Sequence, residues 1–447
     1  MAEIADFSRS ALLAIRGRNV YSFREEFELS MLATRLSEPR FVRELPWRAG
    51  GKPLRILPAA GVFGPNASGK SNLLHAIDCM VDSIRGSFRR DPTKPMHRHP
   101  FLLDKGFSNQ PSRLEVDLVL DGVRHEYGFE IDDVRVLSEW AYRYPHGKAM
   151  RIFHRTGDSV EHGSAFSTQG RAVQRLLRPD ALFLSTSAQA NHPALFPLYQ
   201  WFAANLWLAG SWNRSGRQFV TAELLNNEES RRDALGLIRA ADLGIADVRA
   251  RDMNSEEAEG FRRRYRRDSE DEHIGSDTPA ERLPKVLEVV HQGADESVSF
   301  GLGMESIGTR VWLGLVGPAM DALETGSVLL LDEIDASLHP DLVEQLLRLF
   351  QEPNSNPRGA QIIFNAHMER LLSGTGDDRL LGRDQVWFTE KAADGASRLY
   401  PLADLDPRKE ENVAHRYREG RYGASPIISR AEFEQAAELI QRPRTKG

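Results

Sequence analysis

Apolar and polar positions along this chain change period several times, and the changes mark out its elements. Residues 12–23 and 26–32 alternate apolar with polar side chains, the period-2 pattern of half-buried strands. Residues 54–63 are mostly apolar and predict one buried strand, while 72–81 carry apolar residues at helical spacing. After a loop-rich stretch over 86–112, residues 114–131 form two alternating runs around Asp121-Gly122, a strong hairpin signal. A further strand pair is predicted at 136–144 and 149–154. The spacing turns helical over 174–243, where the Trp-, Phe- and Leu-rich stripe at 195–208 reads as helix core. From residue 298 the pattern is α/β again: a helix at 309–323, a buried strand at 327–331, a helix at 340–350 and a strand at 360–365. A last strand pair is predicted at 385–390 and 397–401, and the charged tail ends in an amphipathic segment at 431–441.

These changes predict four regions: a β-rich N-terminal lobe (1–172), a helical and charged insertion (173–297), a C-terminal α/β lobe (298–407) and a charged tail (408–447). A chain of 447 residues is long for one simple core, which fits two or three lobes. The net charge of −6 gives no global field favouring nucleic acid, so any such contact needs a local patch. Arg262–Arg267, five arginines beside Phe261 and Tyr265, is the candidate for DNA. The acidic run at 268–272 favours the alternative, a solvated insertion whose opposite charges pair locally. Cys79 is the single cysteine, which excludes an intrachain disulfide and a cysteine-built metal cluster; it reads as a small core residue. No apolar run reaches membrane-spanning length and no signal-peptide core is present, so a cytoplasmic protein without membrane contact is expected.

One stretch names a ligand. Gly64-Pro65-Asn66-Ala67-Ser68-Gly69-Lys70-Ser71 fits G-x-x-x-x-G-K-[ST], the loop that wraps nucleotide phosphates. Its glycines let successive N–H groups turn toward anionic oxygens, Lys70 reaches the β/γ-phosphates, and Ser71 can coordinate Mg²⁺. An apolar strand before it and a helix from Asn72 after it argue against a chance glycine turn, because they place a helix N-terminus under the phosphates.

A second motif supports the first. Residues 327–331 are an apolar strand ending in Asp332 and Glu333, and an acid at the carboxyl end of a buried parallel strand is where open α/β sheets bind ligands. Asp332 would hold Mg²⁺ and Glu333 would polarise the attacking water. Further on, His367 ends a predicted strand, where it can contact a γ-phosphate. Upstream, Ser306 and Gly308 open a helix, either as an ordinary cap or as a second phosphate-binding helix start.

Together these residues resemble the ABC-type ATPases, including the SMC, RecF and OLD branches: a P-loop NTPase head of α/β class with a β-rich lobe and an inserted helical lobe. The resemblance implies that Ser306-Ile-Gly308-Thr-Arg is a divergent signature, Asp335-Ala-Ser the D-loop and His367 the switch histidine. It implies ATP and Mg²⁺ as ligands and a head-to-head dimer. In that dimer Lys70, Ser71, Asp332 and Glu333 of one protomer hold the nucleotide while Ser306 and Gly308 of the other cap its γ-phosphate. The signature departs from the transporter form, and the candidates for the Q-loop are Gln110 and residues 101–104. The absence of a membrane segment disfavours a transporter subunit, and the lack of a long heptad run disfavours an SMC-type arm. Segments 20–30, 100–104, 127–131, 305–310, 383–388 and 408–424 are similar to bacterial AAA-annotated ATPases of the RloA and AbiL type. That similarity implies an ATP-driven regulator of a toxic effector in phage defence, with a Toprim-like nuclease as partner. A RecF-like DNA-maintenance ATPase and a nucleotide-gated scaffold with little turnover are the alternatives. The turn at 420–426 reads as a structural clasp rather than a site.

Overall fold

The computed structural model describes residues 9–48, 51–210, 214–260, 285–425 and 429–441. The arginine-rich candidate at 262–267 lies outside these residues. The strands in chain order are β1 (Ala11–Arg18), β2 (Phe27–Ser30), β3 (Arg43–Leu45), β4 (Leu54–Ile56), β5 (Ala59–Phe63) and β6 (Ser112–Leu120). Next come β7 (Val123–Ile131), β8 (Val136–Arg143), β9 (Met150–Thr156), β10 (Ser159–His162), β11 (Leu206–Ala209) and β12 (Ile245–Arg251). The remainder are β13 (Val286–Gln292), β14 (Ser297–Gly301), β15 (Val328–Leu331), β16 (Gln361–Asn365), β17 (Val386–Lys391) and β18 (Ser397–Pro401).

Two sheets make the body. The first is antiparallel, in the order β10-β9-β8-β7-β6-β1-β2, and the second is mainly parallel, β11-β15-β16-β5-β17-β18, with β18 antiparallel at its edge. The β6–β7 hairpin turns on Asp121 and Gly122, both at positive φ (50° and 75°), the two-residue geometry that matches strand twist. Every residue of β5, β15 and β16 is buried, as strands covered on both faces must be. The period of two sorts their side chains. Val328, Leu330 and Ile363 join the core under the antiparallel sheet, which also holds the helix Lys70–Gly86. Leu329, Leu331, Ile362 and Phe364 join the opposite core, lined by the helices Glu228–Ala240, Ile307–Thr325 and Pro340–Gln351. The result is a three-layer α/β head. Gln361, fully enclosed, links the sheets by donating to the Leu12 and Leu57 carbonyls and accepting from the Leu12 N–H.

Three expectations change. The apolar run at 54–63 is two strands in different sheets, because Pro58 interrupts it and β4 pairs with β3 instead. The stripe at 195–208 is a helix only to Asn205; Leu206–Ala209 then runs parallel to β15 as an edge strand. The insertion is not simply helical and charged. It contains a three-stranded sheet, β12-β13-β14, and β14 begins at Ser297, across the boundary expected at 298.

Besides the β11–β15 pairing, the insertion meets the C-terminal lobe at an irregular turn of helix. Pro318 cannot donate within the helix Ile307–Thr325, and the Thr221 hydroxyl enters there, accepting from the Gly317 N–H (3.0 Å) and donating to the Leu313 carbonyl (2.6 Å). The tail is held by aromatic stacking. Tyr417 and Tyr422 lie on Phe388 at 5.3 and 5.7 Å, and the Tyr417 and Tyr400 hydroxyls donate to the Ala424 and Tyr422 carbonyls. The described part of the 420–426 turn therefore has the contacts of a clasp.

Candidate functional site

The phosphate loop joins β5 to the helix Lys70–Gly86 at the carboxyl edge of the parallel sheet. Gly69 adopts φ 111°, and a Cβ there would sit 2.3 Å from the Ser397 hydroxyl, so both its conformation and its space require glycine. Ala67 is also left-handed (φ 61°), and Asn66 and Ala67 form the exposed crest of the loop. Ser68 is buried and shares a hydrogen bond of 2.6 Å with the Thr389 hydroxyl on β17. Asn72 faces Ser22, which accepts from the Asn72 amide (2.8 Å) and from the Ser397 hydroxyl (2.7 Å). Ser71 lies in the first helical turn.

Lys70 is buried and folds back into the loop. Its ammonium donates to the Gly64 and Pro65 carbonyls at 2.8 and 3.0 Å and lies 3.5 Å from His367 Nδ1. Burial lowers its pKa to about 8, while Asp335, Glu333 and Asp332 pull it back up. The three acids share one short segment and His367 comes from another, and the fold gathers both around one ammonium.

Asn365, at the end of β16, organises the acids. Its amide N–H donates to Asp332 Oδ1, and its carbonyl accepts from the Glu333 N–H at 2.6 Å. Glu333 is exposed and left-handed (φ 54°), a conformation that costs a non-glycine residue about 1 kcal/mol or more and needs such support. Asp335 accepts from the His367 and Met368 N–H groups (2.8 and 2.7 Å), which tie the segment after Asp332-Glu333 to the segment after β16. Asn365 was invisible as a functional residue, since it reads as the last position of an apolar strand. The available signal was a polar residue ending a buried strand two places before His367.

Ser306 caps the helix Ile307–Thr325, accepting from the Thr309 N–H at 3.1 Å. A Cβ on Gly308 would sit 2.7 Å from the Ser337 carbonyl, so this helix start rests on the backbone just after Asp335. The signature and D-loop candidates therefore touch, while the Ser306 hydroxyl group bonds Thr309 and not the phosphate loop. Of the Q-loop candidates, Gln110 is held by its carbonyl, which accepts from Asn19 and Arg98. Leu102 and Leu103 are exposed and Phe101 is buried.

The sheet order places the strand ending in Asp332 (β15) one strand away from β5, with β16 and its Asn365 between them. Residues 59–373, well over half of the chain and every candidate site residue, match the family described as AAA domain, putative AbiEii toxin, Type IV TA system. The chain belongs to that family. It is an AAA-domain ATPase whose α/β head carries the phosphate loop. A search among curated proteins found no match. Two solved structures overlay on most of the chain. The SMC head domain from Thermotoga maritima is 13% identical, covering 87% of this chain and 98% of that one at TM-score 0.37. An Smc head domain with an extended coiled coil, bound to the C-terminal domain of ScpA derived from Pyrococcus furiosus, is also 13% identical, covering 89% and 98% at TM-score 0.35. Among the described residues no helix is long and apolar enough to cross a membrane.

Proposed function

We propose that this ATPase works as an ATP-dependent head-to-head dimer that regulates a toxic effector in phage defence. Lys70 and the loop Gly64–Ser71 with Asn72 bind the phosphates, Ser71 and Asp332 hold Mg²⁺, and Glu333 polarises the attacking water while His367 contacts the γ-phosphate. Ser306, Gly308 and Asp335 act across the dimer. The donor set suits a hard divalent cation, being a hydroxyl and a carboxylate held by Asn365. Mg²⁺ there would neutralise charge on the phosphates.

The observation that carries the dimer is the helix start at Ser306. Its flanking residues Met304 and Ile307 are 78% and 52% exposed, and its hydroxyl group caps only its own helix. Apolar residues in the open beside a helix start whose serine, among the described residues, bonds only within its own helix fit a surface awaiting another nucleotide-bearing copy. The regulatory role and the RloA or AbiL subtype rest on the family's toxin–antitoxin description and on the resemblance of the terminal segments. A Toprim-like nuclease is the partner proposed. The RecF-like alternative would use Arg262–Arg267, and no described residue favours it.

Glu333→Gln tests the reading. The variant should retain ATP and shift to a dimer in size-exclusion chromatography with ATP. A monomer under those conditions would sink the head-to-head arrangement.

A further inference from the structure

Behind the phosphate loop, three residues with metal-ligating atoms converge. Cys79 lies on the helix Lys70–Gly86, and His97 and His99 lie on the segment that crosses it. One ligand atom from each falls within 4.8 Å of the others; Cys79 is buried and both histidines are half-buried. The sulfur donates to the His97 carbonyl at 3.9 Å, and the two imidazoles meet edge-on at 4.7 Å. His99 also stacks on Tyr21 at 4.5 Å, and the Tyr21 N–H donates to its carbonyl.

The geometry points to a binding site for a borderline-soft divalent ion, Zn²⁺, held by the Cys79 thiolate and the His97 and His99 imidazoles. One sulfur and two nitrogens suit zinc, whereas Mg²⁺ and Ca²⁺ take oxygen ligands. Metal–ligand bonds of about 2.0–2.3 Å in a tetrahedron set ligand atoms about 3.3–3.6 Å apart. The cluster is therefore wider than a filled site by about 1 Å, which small side-chain rotations close. A water completes the fourth position. The reading of Cys79 as a plain core residue misses this, because a lone cysteine gives no spacing to read and its partners come from another segment.

The site lies one layer behind the nucleotide. Ser22, next to Tyr21, accepts from Asn72 and Ser397 beside the phosphate loop. A bound ion would pin the helix that carries Lys70 to the segment that carries His99.

The test uses the full chain, reduced, chelator-stripped and free of nucleotide, titrated with Co²⁺. One equivalent should bind with a sulfur-to-cobalt charge-transfer band, and Zn²⁺, not Mg²⁺, should displace it. Because Cys79 is the only cysteine, such a band can come from no other residue. Cys79→Ser should abolish the band, and His97→Ala with His99→Ala should weaken Co²⁺ binding at least about tenfold. Absence of the band in the wild-type chain, or unchanged affinity in the double histidine variant, overturns the proposal. If Cys79→Ser fails to fold, the histidine variant decides alone, with circular dichroism and ATP binding as controls.

Discussion

Asn365→Ala removes one buried amide that holds both acids of the site. Asn365 is fully enclosed, and its side chain donates to Asp332 and accepts from the Glu333 N–H. A hydrogen bond to a charged group contributes about 1.5–3 kcal/mol and a neutral one about 0.5–1.5 kcal/mol. Because the two share one amide they do not simply add, and about 2–4 kcal/mol of stability should be lost. Function should suffer more. Glu333 loses the bond that supports its left-handed backbone, and Asp332 loses the donor that fixes its carboxylate. A displacement of about 1 Å costs roughly a hundredfold in rate. ATP affinity, set mainly by the phosphate loop, should change by less than about threefold, so kcat falls while KM holds. Urea unfolding and steady-state ATPase assays read the two effects. Turnover within about twofold of wild type in a folded Asn365→Ala chain would refute the role of Asn365.

Other outcomes follow from the same geometry. Lys70 has its free-chain pKa lowered to about 8 by burial, and phosphates favour its charged form, so nucleotide binding takes up a proton above that pH. The apparent Kd for ATP should therefore rise by up to about tenfold per pH unit above 8 and stay flat below 7, as calorimetry in buffers of different ionisation enthalpy would read; Lys70→Arg should flatten the profile. Gly308→Ala brings a methyl group to 2.7 Å from the Ser337 carbonyl; ATPase should fall at least about tenfold while nucleotide binding to the monomer stays within about twofold, measured by titration. Tyr422→Ala unstacks the tail from Phe388 and should cost about 3 kcal/mol in equilibrium unfolding, with little change in ATP binding.

The sequence exposed what depends on local spacing. The phosphate loop, the acids after β15 and the Asp121-Gly122 hairpin each declare themselves in a few adjacent residues. So do the paired strands β17 and β18, whose apolar residues fall in two short runs split by the turn at 392–396. The misreadings have a common physical source. At 195–208 the aromatic stripe continues without a break from helix into β11, because both bury large apolar side chains and periodicity cannot separate them over four residues. At 54–63 composition hid Pro58, which splits the run between two sheets. Strands β12 to β14 escaped because β14 is exposed throughout and charged residues precede β13. Within the site, Asn365 and the contact of Gly308 with Ser337 depend on long-range packing, which no local pattern encodes.

The central claim is that each nucleotide site is completed by a second copy, and complementation tests it directly. Lys70→Ala removes the phosphate-binding half and Gly308→Asp the signature half, so each variant alone should be inactive. Mixed in equal amounts, half the dimers are heterodimers carrying one intact composite site. The mixture should then recover about a quarter of wild-type ATPase activity, the fraction random pairing allows with independent sites. A mixture no more active than its separate components, or a Gly308→Asp chain that hydrolyses ATP unaided, would contradict the account.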